Sequence, residues 1–146
     1  MSIFRRRRTP ELAADLGSGF WVTEAPAMQH AILGALTRAE SARAVVPVEL
    51  TFDAGAEGRV VALWRNLIVG FVPDDVAPTV RQQLADAGEA RLVTSGLALP
   101  EGREWRIWAG PPWLEGTRPP SYPASTIRPT PPAIFGIQLR TPDAPA

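Results

Sequence analysis

The sequence predicts an α+β fold: a five-stranded antiparallel sheet or small OB-like barrel, with one internal helix, an N-terminal helix and a Pro-rich C-terminal tail. Three observations carry this. Apolar residues recur at helical spacing over 24–43 and then switch to strict alternation from residue 44. Turn chemistry punctuates the alternating region at regular intervals. Ten of the 16 prolines fall in the last 36 residues, too many for a hydrogen-bonded sheet and suited to polyproline II.

In chain order, residues 1–22 read as a lead segment, with a block of four arginines at Arg5, Arg6, Arg7 and Arg8. That block forms a candidate electrostatic arm, suited with Ile3 and Phe4 to peripheral contact with an anionic membrane, or to nucleic acid, and otherwise solvated. Residues 24–43 follow as a helix. Met28, Ala31, Ile32, Ala35, Leu36 and Ala39 form one stripe, Thr23 is placed to cap it, and Pro26 fits its first turn.

Val46, Val48, Leu50 and Phe52 alternate with Pro47, Glu49 and Thr51, a half-buried strand whose proline sets its start at an edge or bulge. Asp53–Gly58 is a turn. Strands at 59–65 and 67–72 are separated by Arg65-Asn66, a tight hairpin in which Asn66 takes a left-handed conformation. Both strands are apolar on both faces, so they are expected at the sheet centre, with Leu63 in the core. A second helix over about 74–87 buries Val76, Val80, Leu84 and Ala87, is capped by Asp74 or Asp75, and stops at Gly88. Strands at about 89–99 and 103–109 close the domain around Pro100-Glu101-Gly102. The chain thus divides into a lead segment (1–22), a globular domain (23–110) and a tail (111–146), with 44–110 expected to fold alone. Within the tail, Ala133–Arg140 is apolar and proline-free, fit to pair with a sheet edge or dock on a partner.

Charge narrows the function. All 15 basic residues are arginine, and without the N-terminal block 11 of them face 15 acids, a net of −4. A net-acidic body is poor material for non-specific nucleic-acid binding. No stretch reaches the ~18–20 apolar residues of a membrane span, and no hydrophobic region follows the arginines as in a secretory signal. The cytoplasm is the expected compartment. With no cysteine and one histidine, thiolate chemistry and clustered metal ligands fall away. His30 has no serine or aspartate at useful spacing, Asp74-Asp75 suit a helix start, and Asp53 and Glu57 suit a solvated turn. Phosphate-loop, dinucleotide and zinc-protease signatures are absent. No catalytic constellation, metal site or cofactor is expected.

Five tryptophans remain: Trp21, Trp64, Trp105, Trp108 and Trp113. If Trp105 and Ile107 face inward, Trp108 points outward beside Arg106, and Arg59 and Arg91 join them from neighbouring strands. Outward Trp and Arg on a sheet suit either a peptide or a nucleobase, or else an Arg stacked on Trp beneath the chain's own tail.

Pro47-Val48-Glu49-Leu50, Val60-Val61-Ala62-Leu63 and, above all, Val69-Gly70-Phe71-Val72-Pro73 entering a helix give residues 44–110 a resemblance to HIRAN domains. The resemblance implies a small OB-like barrel of a kind that binds single-stranded DNA ends. Where that family carries an Asn-Pro-x-Asp loop that helps hold DNA, this chain has Asp53–Gly58 reading Asp-Ala-Gly-Ala-Glu-Gly, so the DNA contact is not implied. The expected function is therefore a non-enzymatic binding or accessory module that engages a protein partner through Arg59, Arg91, Arg106 and Trp108 and the tail. Single-stranded nucleic-acid binding is the alternative, and a small carboxylate enzyme a third reading.

Overall fold

The computed structural model describes residues 9–113 and the backbone of two short strands beyond them. Two brief strands come first, β1 (Glu11–Ala13) and β2 (Phe20–Trp21). A 3-10 turn at Ala25–Met28 leads into α1 (Gln29–Ala35) and α2 (Arg38–Ser41). Then follow β3 (Val46–Ala54), β4 (Val60–Trp64), β5 (Leu67–Phe71), α3 (Ala77–Ala87), β6 (Arg91–Glu101) and β7 (Glu104–Ala109). Beyond residue 113, β8 (Ala133–Ile134) and β9 (Ile137–Gln138) pair antiparallel with each other. Arg5–Arg8 and the rest of the expected tail lie outside the described residues.

The fold is α+β, built on one curled antiparallel sheet in the order β2-β7-β6-β3-β4-β5. The short β1 adds a parallel pairing to the start of β6, Leu12 opposite Leu92. Alternation decides which face is buried. Val46, Val48, Leu50 and Phe52 of β3 turn inward, with Val60, Ala62 and Trp64 of β4 and Trp105, Ile107 and Ala109 of β7. Ile32 and Ala35 of α1 and Ala77 and Val80 of α3 fill the same inner side. A fully buried side chain such as Ile32 or Ile107 contributes roughly 1.5–3 kcal/mol of hydrophobic stabilisation.

Residues 20–23 draw the two ends of the sheet together. The Val22 N–H donates to the Ile107 carbonyl at 2.9 Å, on the β7 side. Thr23 and Phe71 exchange two backbone hydrogen bonds at 2.8 and 3.0 Å, on the β5 side. This approach needs glycine at residue 70. Its φ is +154°, and a Cβ there would run into the Thr23 carbonyl and the Val22 side chain.

Several expectations are corrected. Among the described residues the sheet has seven strands where five are expected, because the segment 1–22 supplies β1 and β2. The expected boundary at residue 23 crosses packed structure, since Phe20, Trp21 and Val22 are all buried. Phe20, Val22 and Ile32 also share one core with Val46 and Ile107, so the 44–110 region does not enclose its own interior. The single helix over 24–43 is broken at Leu36, which is extended, and restarts at Thr37. The cause is a capping box: Thr37 accepts from the Glu40 N–H and the Glu40 carboxylate accepts from the Thr37 N–H. Thr23 caps nothing and joins the Phe71 bridge instead. Asp74 and Asp75 are exposed in the turn before α3, whose N-cap position is Val76.

The Arg65-Asn66 hairpin forms as expected, with φ of 51° and 65°, the double left-handed turn that matches strand twist. The central placement of both its strands does not hold. β5 ends the sheet path, with Leu67 and Ile68 exposed, and Leu63 is half-buried on the outer face between inward Ala62 and Trp64.

Candidate interaction surface

The outer face of β6 and β7 carries a second apolar cluster, separate from the main core. It consists of Trp21, Leu99 and Trp108, with Leu97 and Trp113 packed against them. Strand register assembles it. Trp108 stands opposite Leu97 on one side and Trp21 on the other, while Arg106 stands opposite Leu99. Trp21 and Trp108 meet edge to face, centroids 5.2 Å apart at 76°. Trp113, just past the last strand, lies 5.7 Å from Trp108 and 5.9 Å from Trp21. Each such aromatic pair adds about 0.5–1.5 kcal/mol beyond the area it buries. The Trp108 indole N–H donates to the Pro111 carbonyl at 3.0 Å, so the chain just after β7 turns back onto the cluster.

Trp108 does stand on the face opposite the core, as its spacing predicts, but it is covered, only 6% exposed. Trp21, Trp113, Pro111, Leu97 and Gly19 are among the residues that lie against it. Arg106 lies beside it with its side chain 15% exposed, reaching Glu104 at 3.2 Å and Glu101 at 3.8 Å. Two of the four expected surface residues are thus together. The other two are elsewhere.

Arg59 sits at the far end of the sheet, 2.9 Å from Glu24, with its guanidinium 3.6 Å above the Phe71 ring. Arg91 begins β6, six positions before Leu97, a distance of about 20 Å along a strand. It lines a separate groove with Thr51, Asp53, Leu63, Arg81 and Leu84, between α3 and the sheet. Arg81 there donates to the Gly58 carbonyl at 2.9 Å. His30 is exposed on α1, and Asp53 and Glu57 are exposed around the β3–β4 turn.

Sequence reasoning missed Trp21, Leu97 and Leu99 as members of the surface. The run Phe20-Trp21-Val22 was the available signal: three consecutive large apolar residues are unusual in a solvated lead. It missed Gln29 as well. The Gln29 side chain donates to the Trp105 carbonyl and accepts from the Trp105 N–H, both at 2.8 Å, which fixes α1 against the end of β7.

A further fixed point is the Glu40–Arg65 pair, joined by two hydrogen bonds at 2.6 and 2.9 Å. Arg65 also donates to the Ala35 carbonyl, so it ties the β4–β5 turn to the broken helix. The Arg65 guanidinium, with help from the Thr37 N–H, holds the Glu40 carboxyl down to about 2 from an ordinary 4.5.

No helix among the described residues is long and apolar enough to cross a membrane. Comparison with known proteins gives no match, whether to a family model, a curated protein or a solved structure.

Proposed function

We propose that this chain is a non-enzymatic protein-interaction module whose working surface is the outer face of β6 and β7. The observation that carries the reading is the placement of Trp21, Trp108 and Trp113 in a cluster outside the main core. Tryptophan and arginine dominate the energetics of protein interfaces, and here three indoles cluster on a sheet face on which Arg106 stands two positions from Trp108. Arg59 and Arg91 are not part of this surface. The test is site-specific photocrosslinking in the cells that make the protein, from Ser95 on the outer side of β6 and from exposed Ala39 on α2. An adduct with another protein is expected from Ser95, absent from Ala39 and diminished in Trp113→Ala. Equal adducts from both positions would remove the reading.

A second reading is a single-stranded nucleic-acid module with a HIRAN-like, small OB-like barrel. It draws on the bridge between Thr23 and Phe71, which brings the sheet ends together, and on the groove holding Arg81 and Arg91. It requires oligonucleotide binding that falls steeply with salt and is lost in Arg91→Glu.

A further inference from the structure

We propose that the tryptophan face binds an arginine-bearing, proline-rich extended segment, and that its occupant is this chain's own residues 118–132. The proposal rests on the interaction reading above and names what that surface takes.

The first argument is the contact already made there. The Trp108 indole N–H is donated to the carbonyl of Pro111, and Pro112 follows directly. An indole N–H given to a backbone carbonyl, with proline rings laid on aromatic walls, is how polyproline II segments are held. Proline suits an apolar platform because it has no backbone N–H to be buried without a partner. Its φ is fixed beforehand, so little conformational freedom is lost on docking.

The second argument is charge. The outer face around the cluster carries Glu101 and Glu104 beside Arg106, and Glu49 stands on β3 opposite Ser95, two residues from Leu97. With exposed Arg103 in the turn between Glu101 and Glu104, three carboxylates meet two guanidiniums, a net of −1. Residues 118–132 read Arg-Pro-Pro-Ser-Tyr-Pro-Ala-Ser-Thr-Ile-Arg-Pro-Thr-Pro-Pro, with six prolines, two arginines and no acid. The segment therefore complements the face in sign as well as in shape.

The third argument is reach. The described body ends at Trp113, itself a member of the cluster. Pro119 is six residues further on, which spans up to about 20 Å of extended chain. A tether that short gives an effective concentration in the millimolar range, so the chain's own segment is favoured over a free partner of equal affinity.

The experiment follows the five indole N–H resonances of the full-length protein. In the variant Pro119→Ala/Pro120→Ala/Pro123→Ala, the Trp108 and Trp113 signals are expected to move while those of the core residues Trp64 and Trp105 stay fixed. A synthetic peptide of residues 118–132, added to that variant, is expected to return them along a saturable curve. The same peptide with its prolines changed to alanine, or its arginines to glutamate, is expected to bind at least about tenfold more weakly, one pair-sized interaction or more.

No movement in the variant together with no saturation by the peptide would overturn the proposal. Equal binding of the alanine peptide would overturn the proline-rich class. Indole positions of the unaltered protein that change with its concentration would place the occupant on a second copy and overturn the intramolecular assignment. A Ser95 adduct with another protein that persists through any of these failures would leave the interaction reading standing and remove only the occupant.

Discussion

Gly70→Ala tests the closure of the sheet directly. Two costs add at this position. The φ of +154° is one that residues with a Cβ rarely adopt, a strain of about 1–3 kcal/mol. The new methyl also meets the Thr23 carbonyl and the Val22 side chain, which cannot both retreat without opening the Thr23–Phe71 bridge; overpacking of this kind costs about 1–3 kcal/mol. The expected loss is therefore about 2–6 kcal/mol. Gly102→Ala supplies the control, because Gly102 has a φ of +62° and nothing within 4 Å of its would-be Cβ. That variant carries backbone strain alone, about 1–2 kcal/mol. Urea unfolding of both variants, followed by tryptophan fluorescence and far-UV circular dichroism, gives the difference. Hydrogen exchange should also accelerate at the Thr23 and Phe71 amides in Gly70→Ala and not in Gly102→Ala. If Gly70→Ala costs no more than Gly102→Ala, residues 20–23 do not hold the sheet ends together in solution.

Ile107→Ala should cost about 2–5 kcal/mol and Leu63→Ala only about 0.5–1.5 kcal/mol, by chemical denaturation, since the first side chain is fully buried and the second half-exposed on the outer face. Glu40→Gln should destabilise the protein at neutral pH and progressively less as pH falls from 4.5 towards about 2. The Glu40 carboxyl is depressed in the folded state, so its contribution is complete above the ordinary 4.5 and is lost as pH falls towards about 2. Thermal melts of both proteins across that window should converge at the acid end. Trp113→Ala removes two ring contacts and should cost about 1–3 kcal/mol while reducing the near-UV dichroism of the cluster, with unfolding still cooperative.

The long strands were legible because each has enough residues to display a period. Val46 to Phe52 alternates over seven positions, and Arg65-Asn66 is a turn dipeptide between two apolar runs. β1 and β2 have three and two residues, too few to show any period, and they exist only because β6 and β7 offer open edges. Val60–Trp64 is apolar throughout, so alternation does not say which face is inside; Leu63, expected inward, is half-buried on the outer face and Trp64 takes the inner place. The helix break was written in Thr37 and Glu40, but an apolar stripe running on to Ala39 outweighed a cap inside it. For the surface, spacing from Trp105 put Trp108 on the outer side and left its cover unseen, because Trp21 and Trp113 arrive from opposite ends of the described chain. Pairing Arg59 and Arg91 with Arg106 assumed neighbouring strands at one level, whereas β4 and β6 are separated by β3 and Arg91 lies at the other end of β6.

The seam at residues 20–23 also sets an order on folding. Phe20 pairs with Ala109, 89 positions later, and Thr23 with Phe71, 48 positions later. During synthesis the β3–β4–β5 meander can form as soon as it emerges, since its contacts are local. Phe20, Trp21 and Val22 leave the ribosome well before it but find no permanent seat until β7 has followed. For that interval three large apolar side chains near the N-terminus stay available to chaperones or to other nascent chains. Shortening the chain from its C-terminal side past Ala109 would make that transient state permanent.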